Sequence, residues 1–414
     1  SQGEDYYILY QGKTISIAVE TDKSLYEEVR YWSDDESIVS FVKGGDKEPY
    51  HQSDWQGVSL GSTKIYAEAV KSKVRAEITV NVIEAPIPPR TEFLGSGTED
   101  DPYQINEKYD LLLLVAKTAK YEDKPHYLNE EQDIFTRKHF ILTDDILLEA
   151  DEWNKNIDEF DGVFNGNGQT IKINGAIRYG FIKNIKENGI VKNLRINANI
   201  YRIVPTTNVY GADAFLGILA DDNLGVIKNC QTSGDIRLDI TERANNSSYI
   251  GYFVGGIIGL NYAGEMTDCL SSANIIVNRY VEKPEDNTYI SIGGIAGYSA
   301  GYGVDISKSI FNGSIKYNAK LHASDDIGIM IGMTGPRQYV DLYYDANMYD
   351  NRTEEEKNIY DIPIEIIGNG GQYAEIEHIN VGGVSDWSTV DFSSWDHEIW
   401  DFSGETPELR LFKK

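Results

Sequence analysis

The chain has 414 residues, with 38 Lys and Arg against 66 Asp and Glu, for a formal net charge of −28. That balance argues against nucleic acid or an anionic membrane held by bulk charge, and 41% hydrophobic residues exclude disorder throughout. The 28 Tyr, 13 Phe and 38 Gly against 11 Pro point to a turn-rich β protein of two or three domains.

The polar start Ser1 to Asp5 does not resemble a signal peptide or a lipid-attachment cysteine, so an exported protein would have lost that segment. Residues 1–86 are short alternating segments. Ile15, Ile17 and Val19 share one face, Ile38 to Phe41 follows, and Ala76, Ile78, Val80 and Val82 alternate with Arg75, Glu77, Thr79 and Asn81. This is the period-2 pattern of strands with one wet face, expected to pack as a small sandwich. Residues 84–92 hold three prolines, and a semi-rigid linker is placed at 87–92. The segments Tyr31 to Ser40 and Gly61 to Ala67, with the closing strand to Ile83, resemble the bacterial Ig-like domains of type 2. The stretch Lys43 to Trp55 is longer and more charged than that family's pattern.

The third region, 93–414, opens with Phe93 to Ile105 and then the best helical stretch in the chain, Asn106 to Lys120, whose apolar residues Leu111 to Ala116 number six where a membrane span needs about 20. From Gly180 a fragment returns as Gly217-Ile-Leu-Ala, Gly256-Ile-Ile-Gly, Gly294-Ile-Ala-Gly and Gly328-Ile-Met-Ile, at spacings of 37, 39, 38 and 34 residues. Four columns stay in phase beside it: Val191/Ile227/Met266/Ile306, Leu194/Cys230/Cys269/Ser309, Ala198/Gly234/Ala273/Gly313 and Ile200/Ile236/Ile275/Ile315. Self-similarity over residues 180–335 predicts one turn of a parallel β-helix per repeat, with like residues stacked about 4.8 Å apart. The Ile column is expected to face inward, and the Ala/Gly column to form a tight corner. Cys230 and Cys269 share a column and are read as buried thiols.

Val254 to Asn261, Gly264 to Cys269 and Ile292 to Gly297, with the upstream Phe93 to Ile105 and Phe160 to Ile171, resemble GLUG-motif repeats of bacterial secreted and surface proteins. The fold expected is all-β: an Ig-like sandwich and then a right-handed parallel β-helix. The helix at 106–120 would lid its N-terminal end, and Trp387, Trp395, Trp400 and Phe402, with the final Pro407 to Phe412, would close its C-terminal end.

Catalytic motifs do not survive comparison with the repeat. His397-Glu398 lacks the second His of a zinc helix. The G-x-S-x-G string at Gly297 to Gly301 aligns with Gly259 to Gly264 of the preceding repeat, and no helix follows it. Asp221-Asp222 and Asp325-Asp326 read as solvated loop charges. Thr143-Asp144-Asp145 is the nearest carboxylate pair to what a glycan-cleaving enzyme needs, and it sits in a strand of the leading segment. No cofactor is expected. Asp144, Asp145 and Asp158 to Asp161 offer oxygen ligands of the kind Ca²⁺ takes, without EF-hand spacing.

The segments 202–213, 239–250, 278–290 and 318–326 all follow the same strand and are expected to form a ridge of loops. Tyr210 and Tyr249 occupy matching places, with Tyr289 nearby, and these three are the candidate ligand-binding residues. The resulting expectation is a non-enzymatic, exported, monomeric protein of the bacterial cell surface that binds an extracellular glycan or a host or matrix protein. The alternatives are a passive stalk and a polysaccharide lyase or glycosidase.

Overall fold

The computed structural model describes residues 6–20, 28–47, 50–83, 91–118, 137–204, 214–240, 250–279, 288–300, 303–318, 326–334, 337–346, 365–367 and 378–413. Backbone contacts divide the chain into two compact units, Ser1–Ile87 and Pro88–Lys414. The linker residues 84–90 lie outside the described residues.

In the first unit, Tyr6–Tyr10, Arg75–Ile83, Gly61–Ala69 and Val29–Ser33 form one sheet, and Thr14–Glu20, Tyr50–Gly57 and Val39–Lys47 a second. All pairings are antiparallel except that of the first strand with Arg75–Ile83. Both sheets contribute to one core: Leu9, Ile65, Val80 and Val82 from the first, Val39 and Trp55 from the second. The predicted alternation holds at Val80 and Val82, while Ala76 is exposed. Within the charged stretch, Val39–Lys47 pairs antiparallel with Tyr50–Gly57, with a register slip between Phe41 and Lys43.

The second unit is two long parallel sheets built from the repeat. Ile200 pairs with Ile236, Ile236 with Ile275 and Ile275 with Ile315, so residues 36, 39 and 40 apart in sequence become neighbours across strands. All four are buried and belong to one continuous core. Val191, Ile227, Met266 and Ile306 form a second buried column. β-Branched side chains suit this arrangement because each rung buries its inner face only against like residues above and below. In the Ala/Gly column, a Cβ on Gly234 would sit 2.1 Å from the Ala198 carbonyl oxygen, and one on Gly313 would sit 1.9 Å from that of Ala273. The small residue at that corner is therefore required by the backbone of the rung before it. Cys230 and Cys269 are both buried free thiols; burial first, and then the neighbouring Cys230, push the Cys269 thiol well up.

A further column was not read from the sequence. Asn167, Asn193, Asn229, Asp268, Lys308, Asp341 and Asn380 all have φ between 45° and 57°, the left-handed conformation that Asn and Asp tolerate best among residues with a Cβ. Where Asn is kept, its side chain binds the previous rung: Asn193 Nδ2 donates to Asn165 Oδ1 at 3.0 Å and Asn229 Nδ2 to Asn193 Oδ1 at 2.8 Å.

Two sequence expectations need correction. The glycines of the repeated fragment register only in part as aligned: the 38-residue step from Gly256 to Gly294 is kept, since Gly255 pairs with Gly293, but Gly217 pairs with Gly255 and not with Gly256. The Gly255-Gly256 and Gly293-Gly294 doublets make either phase read well, but a one-residue slip would send each side chain to the opposite face. The C-terminal aromatic segment also does not close the end of the stack. It runs back along the asparagine corner. Ser394 Oγ donates to Asp341 and Lys308 Nζ to the Ser394 carbonyl, Trp400 Nε1 donates to Asp268, and Arg195 donates to the Phe412 carbonyl. It packs there as a separate core of Trp387, Phe392, Trp395, Trp400, Leu409 and Phe412 with Leu270, Ile310, Tyr343 and Val384. At the other end, the helix Lys108–Thr118 buries Leu111, Leu114 and Val115 in the main core, as expected of a lid.

Candidate binding surface

The strands Arg195–Val204, Gln231–Ile240, Leu270–Arg279 and Ser314–Asn318 lie side by side. Ile196, Ala198 and Ile200 face the core, so strand alternation turns Asn197, Asn199 and Tyr201 outward. The same parity turns out Ser233, Asp235 and Arg237 on the next strand and Ser272, Asn274 and Ile276 on the one after. These side chains are tied rung to rung: Asn197 Nδ2 donates to Ser233 Oγ at 3.0 Å, Asn274 Nδ2 to Asp235 Oδ1 at 3.0 Å and Ser314 Oγ to Asn274 Oδ1 at 2.9 Å.

Asp239, buried beneath its partners, is the hub at the far edge of this face. It accepts from Arg237 Nη2 at 2.9 Å, Tyr201 Oη at 3.0 Å and Asn278 Nδ2 at 2.5 Å, and Asn318 Nδ2 continues the row by donating to Asn278 Oδ1 at 2.6 Å. Burial pushes its carboxyl up, but the hydrogen bonds from Arg237, Asn278 and Tyr201 outweigh it and hold the group below the usual carboxylate range. The guanidinium of Arg237 also stands 5.2 Å from the centre of the Tyr201 ring, whose residue is 39% exposed. The result is a flat face of amides, hydroxyls and fixed charges with an aromatic ring at its margin.

The loops expected to begin at residues 202, 239 and 278 start later than predicted. Arg202–Val204, Asp239–Ile240 and Asn278–Arg279 belong to the strands, which puts Asp239 and Asn278 on the face. Tyr210 and Tyr249 lie outside the described residues. Tyr289 is placed on a strand, Thr288–Gly293, and not on a loop. Its register partner on the preceding rung is Gly251, and its ring meets Phe253 edge-on at 5.4 Å. Sequence reasoning missed Tyr201, Arg237, Asp239, Asn278 and Asn318. The signal that finds them is their fixed offset, one or three residues after the Ile200/Ile236/Ile275/Ile315 column.

The other candidates are separated by the fold. Asp221 and Asp222 are not solvated loop charges. They sit in the strand Ala220–Asn223, where Asp221 is buried and accepts the Gly180 N–H at 3.0 Å. Burial pushes Asp221 up to about 7 and Asp222 up to about 6. Asp325 is outside the described residues and Asp326 begins a strand. Ser299 pairs with Asn261, as the repeat predicted, and is fully buried. The carboxylates considered for Ca²⁺ serve the chain itself: Asp145 accepts the Thr170 N–H, Asp161 the Asn188 N–H, and Asp158 pairs with Lys183 at 2.9 Å. Among the described residues no group of three or more His, Cys, Asp or Glu is gathered. Also among them, no helix is long and apolar enough to cross a membrane.

No family model matches the chain, and no solved structure matches it. A stretch of 164 residues, 36% of the chain, is 29% identical to Halomucin of Haloquadratum walsbyi. The chain spans 2% of the length of that relative.

Proposed function

We propose that the protein is a non-enzymatic, exported module of a cell surface: a bacterial Ig-like sandwich followed by a right-handed parallel β-helix of GLUG-type repeats, binding an extended extracellular glycan along the face that carries Asn197, Ser233, Asp235, Asn274 and Tyr201. The observation that carries the reading is the set of polar side chains that tie neighbouring strands together on this face, Asn197 to Ser233, Asn274 to Asp235 and Ser314 to Asn274. A polymer of like units presents hydroxyls at a regular repeat, and a stacked sheet offers partners at a repeat of about 4.8 Å. Tyr201 and Arg237 supply the aromatic and charged contacts that recognition surfaces favour. The residues that resemble the two families support the domain reading, and the local likeness to Halomucin agrees with an extracellular setting.

A passive stalk is the second reading, favoured because the same polar groups already satisfy one another from rung to rung. A glycan and extracellular-matrix array run beside a depolymerisation assay separates the readings. The expected outcome is retention on extended glycans, weakened about tenfold or more by Tyr201→Ala, with no release of unsaturated or reducing ends. An empty array returns the stalk, and released ends return a lyase or glycosidase.

A further inference from the structure

The larger sheet stops at the strand His378–Val384. One edge of this strand pairs in parallel with Arg337–Asp345, through Tyr339 with His378 up to Asp345 with Val384. Its other edge carries no strand among the described residues. Sheet edges left open are usually blunted by lysine, proline or a bulge, and the sequence His-Ile-Asn-Val-Gly-Gly-Val has neither lysine nor proline.

A groove of about 590 Å³ lies along this strand, walled by the turns at Asp386 and Asp391 and floored by Gly382, Gly383 and Tyr343. A Cβ placed on Gly382 would meet nothing within 4 Å, so there is open space over the floor. Glycine pairs of this kind let another backbone approach closely. Asp386 and Asp391 are exposed, and each accepts its own turn's N–H through Oδ1, from Ser388 at 3.0 Å and Ser393 at 2.9 Å. Those bonds hold both carboxyls below the usual range, so both are anionic at neutral pH.

Asn380 marks the register. It has φ 56° and donates through Nδ2 to Asp341 Oδ1 at 2.8 Å, as Asn229 donates to Asn193 within the stack. Within the stack Asn193 Oδ1 takes the donor of the rung after it, Asn229 Nδ2, and Asn380 Oδ1 stands at the matching place on the last strand.

We propose that this edge is a docking site for an extended, basic segment of a partner protein, which adds as a further strand and sets Lys or Arg side chains against Asp386, Asp391 and the amide oxygen of Asn380. Strand addition gives main-chain hydrogen bonds for affinity and side-chain contacts for choice of sequence. A basic segment is the occupant that fits, because all three side-chain groups offered are acceptors and the whole chain carries −28.

The test uses the full chain and two labelled peptides of equal length, alternating Lys-Val and alternating Glu-Val, followed by fluorescence anisotropy and amide hydrogen exchange. The Lys-Val peptide is expected to bind, more weakly as salt rises, and to protect amides within His378–Val384. Asp386→Asn with Asp391→Asn keeps both turn acceptors and is expected to weaken binding about tenfold. Gly382→Val fills the open floor and is expected to abolish binding with an unchanged melting temperature. Equal binding of the Glu-Val peptide, no binding of either, or full affinity in both variants overturns the proposal. Self-association that protects His378–Val384 in the absence of peptide also overturns it, by making a second copy the occupant.

Discussion

Asp221 shows how far one buried carboxylate departs from its sequence context. Two adjacent aspartates read as solvent-facing charge because nothing local supplies a partner. Among the donors that hold Asp221 are the Gly180 N–H, 41 residues away, and Asn156 Nδ2, 65 residues away. Since burial pushes its carboxyl up to about 7, the folded chain keeps a proton that the unfolded chain releases near pH 4. Asp221 therefore stabilises the fold in acid, and that contribution fades as pH rises through about 7. Asp221→Asn removes the ionisable group and keeps an acceptor for Gly180. It is expected to stabilise the fold at pH 8 by roughly 2–4 kcal/mol, from a shift of about three units at 1.36 kcal/mol each. The gain should shrink towards zero at pH 4, as chemical denaturation across that range would reveal. A gain that does not change with pH would contradict the assignment.

At the scale of the strand, the periodic part of the sequence was legible because like residues stack. Ile200, Ile236, Ile275 and Ile315 align and are buried as read. The glycine doublets misled because two equal residues in a row carry no phase, and only pairing across strands fixes it. The Asp239 face was not legible for a related reason. Its polar residues differ from rung to rung, and residues 202, 239 and 278 look like loop starts when the strands in fact run on. The corner column gives a sharp test. Gly234 has φ 123°, and a Cβ there would lie 2.1 Å from the Ala198 carbonyl oxygen. Gly234→Ala is expected to cost about 2–3 kcal/mol by differential scanning calorimetry, against a few tenths for an exposed strand position such as Lys172→Ala.

At the scale of the molecule, the helix Lys108–Thr118 was legible and the path of the C-terminus was not. The helix follows from a local run of apolar residues, whereas the terminal segment is placed by contacts between residues far apart in sequence: Trp400 with Asp268, 132 residues earlier, and Phe412 with Arg195, 217 residues earlier. Aromatic composition announced that the segment is buried but not where. Trp400→Phe keeps the ring and removes the donor to Asp268, which is buried. Leaving that carboxylate without the indole N–H is expected to cost about 1–3 kcal/mol, measured by thermal melting.

A stack whose rungs touch only their neighbours behaves as a row of links, free to open from either terminus without the rest responding. Here the last residues of the chain reach back to some of the earliest rungs, Leu411 lying over Gly168 and the Phe412 carbonyl held by Arg195. The row thereby becomes a closed circuit, in which fraying of a distal rung must also pull the clasp away from its origin. Opening a distal rung is then coupled to release of the contacts at Gly168 and Arg195.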